Sequence, residues 1–163
     1  ATFGNMYYFY MEQKVEVKNS VISTIFGVST REIEEIKELK NLFADGLSLV
    51  YQFRNRTAHG GRVYNFTTYR EYIRFNTIFH SKSCISNKLY RFGYGKNDLF
   101  TFIKFFSFMP KNLNEKLNIG VRSILKEYLS KYPEDKNMLL TEIGVPPTII
   151  EFDLEEIFDI TLY

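Results

Sequence analysis

Of 163 residues only two are histidine and one is cysteine, and tryptophan is absent. The lone thiol, Cys84, excludes an internal disulfide and any cysteine-rich metal site. His59 and His80 lie far apart in the chain, outside any HExxH-type spacing, so no metal and no cofactor is expected. No stretch approaches the roughly 20 apolar residues of a membrane span. A nucleophile elbow is missing, and Gly93-Tyr94-Gly95-Lys96 is too short for a phosphate-cradling loop. Internal repeats and low-complexity runs are lacking too. The chain opens on Ala1 and shows no signal-peptide pattern. The expectation is a cytoplasmic protein with no membrane partner, and a piece of a longer chain.

What is present is apolar and aromatic. A hydrophobic share of 45% against 25% charged is that of a folded globular domain rather than a disordered chain. Sixteen Phe and twelve Tyr exceed what one core needs, so some rings belong at surfaces or interfaces. The net charge of +2 conceals an asymmetry. Between Tyr51 and Lys96 nine Lys or Arg stand against one acid, Glu71, which leaves +8 there and −6 elsewhere. Such a block is either a solvated basic face or the footprint of an anionic polymer.

The periodicity is helical throughout. Thr2 to Gln13 carries Phe3, Met6, Tyr7, Tyr10 and Met11 on one stripe, and Val15 to Phe26 points Val17, Val21, Ile22 and Ile25 inward before Gly27. Ser29-Thr30-Arg31-Glu32 fits a capping box. From it Ile33, Ile36, Leu39, Phe43, Leu47, Val50 and Phe53 predict one long helix to the Arg54 region. Gly46 within it marks a kink or a close crossing. Phe66 to Phe79 reads as a short helix or extended chain, and Ser81 to Lys96 as mostly loop. Asn97-Asp98 caps a buried helix from Leu99 to Met109. Asn112 caps the next, to about Lys131, with Leu113, Leu117, Val121, Ile124, Leu125 and Tyr128 inward. A short helix around Glu134 to Ile143 ends at Gly144, and the acidic tail forms one more. The expected architecture is a single all-α domain over residues 1–163.

The densest chemistry lies where the long helix stops, at Arg54-Asn55-Arg56-Thr57-Ala58-His59-Gly60-Gly61. Residues i and i+4 share a helix face, so Asn55 is placed to fix the His59 ring. An imidazole titrates near neutrality and can move a proton, while a guanidinium fork holds phosphate oxygens and the charge growing on them. Arg54, Asn55 and His59 together suit metal-independent RNA cleavage. In that reaction a 2′-hydroxyl attacks the adjacent phosphate and leaves a 2′,3′-cyclic phosphate. The plainer alternative is a histidine near a helix C-terminus followed by a capping glycine. His80 is either incidental or an RNA contact. Tyr69, Tyr72, Phe75, Tyr90, Phe92 and Tyr94 interleave with the basic residues as base-stacking platforms do, or else belong to the core.

The run from Phe53 to His59, with Arg62-Val63-Tyr64-Asn65 after it, resembles the Arg-Asn-x-x-Ala-His…Arg-apolar-aromatic-Asn signature of Abi-like abortive-infection proteins, within the HEPN superfamily. Thr2-Phe3-Gly4, Asn97-Asp98-Leu99-Phe100 and Gly144-Val145-Pro146 look similar in order, and the match resembles the C-terminal half of such proteins. The resemblance implies a bundle of about six or seven helices and RNA cleavage by motifs paired in a homodimer. It makes Arg54 and His59 catalytic and Asn55 supporting, and gives Arg62, Tyr64 and Asn65 a structural or RNA-contacting role. Arg56, Arg62, Arg70 and Arg74 would attract RNA. Gly60 departs from the pattern, since many relatives carry a second polar residue after the motif histidine. The competing function is a non-catalytic module that binds RNA or a protein through the same basic-aromatic face.

Overall fold

The computed structural model describes residues 2–159. Ten α-helices and two single 3-10 turns, with no strand, occur among the described residues, so the chain is all-α. There are more helices than the six or seven expected, because the long predicted helix is broken in two and part of the expected loop is helical.

The helices α1 (Phe3–Met11) and α2 (Val15–Phe26) begin the chain. Thr2 caps α1 by accepting from Asn5 N at 3.3 Å, and Gly27 closes α2 at φ 67°. The expected α1 stripe is only partly inward: Tyr7 and Tyr10 are half-buried, whereas Met6 and Met11 are exposed. Phe3, also assigned to that stripe, has its side chain outside the described residues. On α2, Val17 is exposed while Ile22 is buried.

The capping box at Ser29 and Glu32 forms as expected, opening α3 (Thr30–Glu35). The long helix is then broken at Ile36, whose ψ of 87° is not helical, before α4 (Lys37–Ala58) begins. Packing accounts for the break. On one continuous helix Ile33 and Leu39 would diverge by about 120°, yet both enter one apolar cluster with Ile22 and Phe43. Gly46 is a close crossing: a Cβ there would lie 2.0 Å from the Phe105 ring.

Residues 62–76 hold no helix, so of the segment Phe66 to Phe79 the extended alternative holds up to Asn76, while 77–79 open the next helix. The backbone of 62–76 is paired with distant partners instead. Thr68 N donates to Asn97 O at 3.3 Å, Asn97 Nδ2 to Thr68 O at 2.6 Å, and Ile73 N to Lys96 O at 2.8 Å. Two short helices follow, α5 (Thr77–Lys82) and α6 (Asn87–Arg91), so part of the expected loop is helical.

Asp98 caps α7 (Leu99–Phe105) through Thr101 N at 2.7 Å, and a 3-10 turn carries the chain to Pro110. The helix α8 (Lys111–Lys131) starts one residue before the expected cap; Pro110 holds the N-cap position and Asn112 lies inside the helix. Its inward face is also narrower than predicted. Leu125 is buried, but Leu113, Ile124 and Tyr128 are exposed. Beyond it come α9 (Lys136–Ile143), closed by Gly144 at φ 98°, and α10 (Leu154–Asp159).

Among the described residues three apolar clusters make the core, and α4 belongs to two of them. Leu39 and Phe43 pack with α2 and α3, while Leu42, Leu49 and Phe53 pack with Ile73, Phe79 and Phe105. The third joins α7, α8, α9 and α10 around Phe100, Leu140 and Ile157. Burying one such side chain contributes about 1.5–3 kcal/mol. The helix bearing the candidate turn is therefore anchored along most of its length.

Candidate functional site

The site forms where α4 runs out of core. Phe53 is its last buried residue, with its ring 4.7 Å from Phe102 and 5.1 Å from Phe66. The helix ends in a Schellman motif: Gly61 N donates to Arg56 O at 2.8 Å and Gly60 N to Thr57 O at 3.0 Å. Gly60 supplies the left-handed residue at φ 67°, which a side chain disfavours by about 1–2 kcal/mol. His59 is the C-cap, so its imidazole stands at the rim of the last turn, exposed.

Arg54 and Asn55 meet one turn earlier. Arg54 Nη1 donates to Asn55 Oδ1 at 3.2 Å. Asn55 therefore does not hold the His59 ring, contrary to expectation. The two residues are tied through the backbone, where His59 N donates to Asn55 O at 3.1 Å. The ring itself has no hydrogen-bond partner among the described residues. Neither ring nitrogen is engaged by a described neighbour.

The surrounding arginines divide into committed and free. Arg56 lies across Gly61, where a Cβ would fall 2.3 Å from its Nε; that nitrogen donates to Arg62 O at 3.0 Å. The Arg56 guanidinium also covers the Phe66 ring at 5.2 Å. Arg74 is locked to Asp45 by three hydrogen bonds of 2.9–3.2 Å, and that pairing holds the Arg74 pKa above its ordinary value. These two shape the surface more than they offer charge to a ligand. Arg54, Arg62 and Arg70 are exposed and make no ion pair with a described residue. Asn65 is exposed, and Tyr64 lies with Val63 at an apolar cavity of about 610 Å³ between α7, α8 and α9.

Compared with protein-family models, curated proteins and solved structures, the chain matches none.

His80 has a different place. It is fully buried, with Nε2 2.9 Å from Gly95 O and Nδ1 3.0 Å from Asn76 N and 2.8 Å from Asn76 O. Phe75 stacks on its ring at 5.0 Å and Tyr90 meets it edge-on at 4.9 Å. Burial lowers its pKa, and the bonds to Gly95 and Asn76 oppose this only in part. It is a structural residue, and the alternative of an RNA contact is corrected. Of the interleaved aromatics, Tyr69, Tyr72, Phe75 and Phe92 are exposed, while Tyr90 and Tyr94 are half-buried.

A feature missed at first lies along α4 itself. Asp45, Ser48, Gln52, Asn55 and His59 recur at intervals of three and four, so one polar stripe runs down the helix to the turn. Each of the first four is half-buried. At its upper end Asp45 and Ser48 join Arg70, Glu71, Tyr72 and Arg74 around a second cavity, of about 270 Å³. The spacing is legible in the sequence, on the face opposite the apolar stripe.

Proposed function

We propose that this chain is an Abi-like protein of the HEPN type, a metal-independent endoribonuclease of abortive infection that works in the cytoplasm as a homodimer. The observation that carries the reading is the exposed, unpartnered His59 ring at the end of α4, one turn beyond the linked Arg54 and Asn55. Asn55 holds the guanidinium rather than the imidazole, so its supporting role is to aim Arg54. The Arg54 fork receives the scissile phosphate and stabilises its growing charge. His59 exchanges a proton with the 2′-hydroxyl or the departing 5′-oxygen. The bond from the 2′-oxygen to phosphorus forms, the bond to the 5′-oxygen breaks, and a 2′,3′-cyclic phosphate remains. Arg62 and Arg70 draw the strand to the turn.

The test is cleavage of single-stranded RNA in EDTA by wild type, Arg54→Ala and His59→Ala, with product ends analysed. Wild type should leave 2′,3′-cyclic phosphates, and either variant should lose activity by about 10²–10⁴-fold while staying folded. Cleavage that survives both substitutions removes the mechanism. Salt-sensitive RNA binding without cutting transfers the proposal to the non-catalytic binding module.

A further inference from the structure

The basic block contains a single acid, and the ribonuclease mechanism gives it no task. Glu71 lies on the extended segment, which is pinned on both sides: Thr68 Oγ1 donates to Glu71 O, and Arg74 N donates to Asp45 Oδ2 at 3.1 Å. Glu71 lines the 270 Å³ cavity together with Asp45, Ser48, Arg70, Tyr72 and Arg74. A phosphate does not suit this cavity. Arg74 is already neutralised by Asp45 in bidentate fashion, so Arg70 and Glu71 leave no net charge. Among the described residues, the Glu71 carboxylate, the Ser48 hydroxyl and the Arg70 guanidinium take no hydrogen-bond partner. A carboxylate accepts and does not donate, and its two oxygens match two parallel N–H groups.

We infer that this cavity is a guanine subsite for the RNA strand cut at the turn, an inference that rests on reading the turn as an RNA site. Guanine presents N1–H and the 2-amino group side by side to Glu71, and Tyr72, 46% exposed, offers its ring as a stacking face. Arg70 and Ser48 take the sugar-phosphate or the remaining base edge. Adenine presents an acceptor where guanine donates, so its N1 faces a carboxylate oxygen without a proton between them. Uracil has one donor and a smaller ring. The distance fits one strand: Ser48 and His59 are roughly 16 Å apart along the helix axis at about 1.5 Å per residue. The base is therefore read a few nucleotides from the bond that breaks.

Equilibrium binding by the full chain, in EDTA and with His59→Ala to prevent turnover, tests this. The probes are labelled RNA oligomers carrying one guanosine, inosine or adenosine in an otherwise uridine strand. Guanosine should bind about tenfold more tightly than adenosine, with inosine between, as a site whose polar group is left unpaired discriminates. Adding Glu71→Gln should bring guanosine down to the adenosine level and leave adenosine binding unchanged. Tyr72→Ala should weaken all three strands, and Tyr72→Phe should restore them. Equal affinity for the three bases, or uniform weakening by Glu71→Gln, overturns the subsite, as does failure to bind RNA at all. Cleavage by wild type without base preference defeats the subsite alone; base preference without cleavage defeats the nuclease and spares the subsite.

Discussion

The two histidines put one side chain in opposite settings. His59 caps a helix, exposed, and its ring touches no hydrogen-bond partner among the described residues. His80 is sealed under Phe75, Phe79 and Tyr90 with both nitrogens against backbone groups. Each stands by a left-handed glycine, Gly60 at φ 67° and Gly95 at φ 73°. A ring whose nitrogens are both engaged cannot exchange a proton with a substrate, whereas one with idle nitrogens contributes little to the fold. On the proposed reading, function and stability are divided between the pair.

Exchanging the readouts breaks or upholds that division most sharply. His80→Ala removes a buried polar group and leaves Asn76 and Gly95 without their partners, so it should cost about 3 kcal/mol in urea unfolding. His59→Ala should stay within about 0.5 kcal/mol of wild type, yet lose cleavage by about 10²–10⁴-fold. A strongly destabilised His59→Ala would make that histidine a structural cap and dissolve the contrast.

Acid sharpens the comparison through the groups around Gly95. The folded pKa of His80 is lowered by burial, so as pH falls below its ordinary 6.5 the unfolded chain binds the proton first. Its contribution is complete above that value and is lost as pH falls through the folded pKa. Asp98 runs the other way. Burial raises its pKa to about 6, so its contribution is complete below 3.8 and is lost as pH rises through about 6. As pH falls from about 6 toward the folded pKa of His80 the two oppose each other in wild type. Asp98→Asn should therefore lose stability on acidification more steeply than wild type, and His80→Phe should gain stability there. Chemical denaturation at several pH values reads both slopes, and identical slopes in the two variants would contradict the assignment.

How much of this could be read beforehand depends on whether the deciding partner is local. The capping box at Ser29, the Gly27 and Gly144 stops and the Asp98 cap are short-range signals, and all of them formed. So did the glycine end of α4, the turn that follows Arg54, Asn55 and His59. The break at Ile36 has no local cause, since it answers to a cluster that α2 completes. The stretch 62–76 has ordinary aromatic periodicity, but its donors and acceptors are claimed by Lys96, Asn97 and Asp45. Arg74 looked free because its partner stands 29 residues away. The burial of His80 depended equally on a distant carbonyl, that of Gly95.

The smallest expected difference isolates packing from backbone strain at the two glycines. Gly60→Ala and Gly95→Ala impose nearly the same left-handed conformation on an L residue, a strain of about 1–2 kcal/mol in each case. Around Gly60 a new Cβ meets nothing within 4 Å, so the strain is the whole cost. At Gly95 it would fall 2.5 Å from Ile85 Cδ1 and 3.0 Å from His80 Cδ2, and the core must give way. Overpacking of this kind adds about 1–3 kcal/mol. Gly95→Ala should therefore unfold at lower urea than Gly60→Ala with an unchanged slope, and its loss should shrink when His80→Ala is added, because the clashing ring is gone. Gly60→Ala should show no such coupling to His80. Equal costs at the two glycines would mean that the His80 pocket is looser than its ring contacts imply, and that the two histidines differ in exposure but not in rigidity.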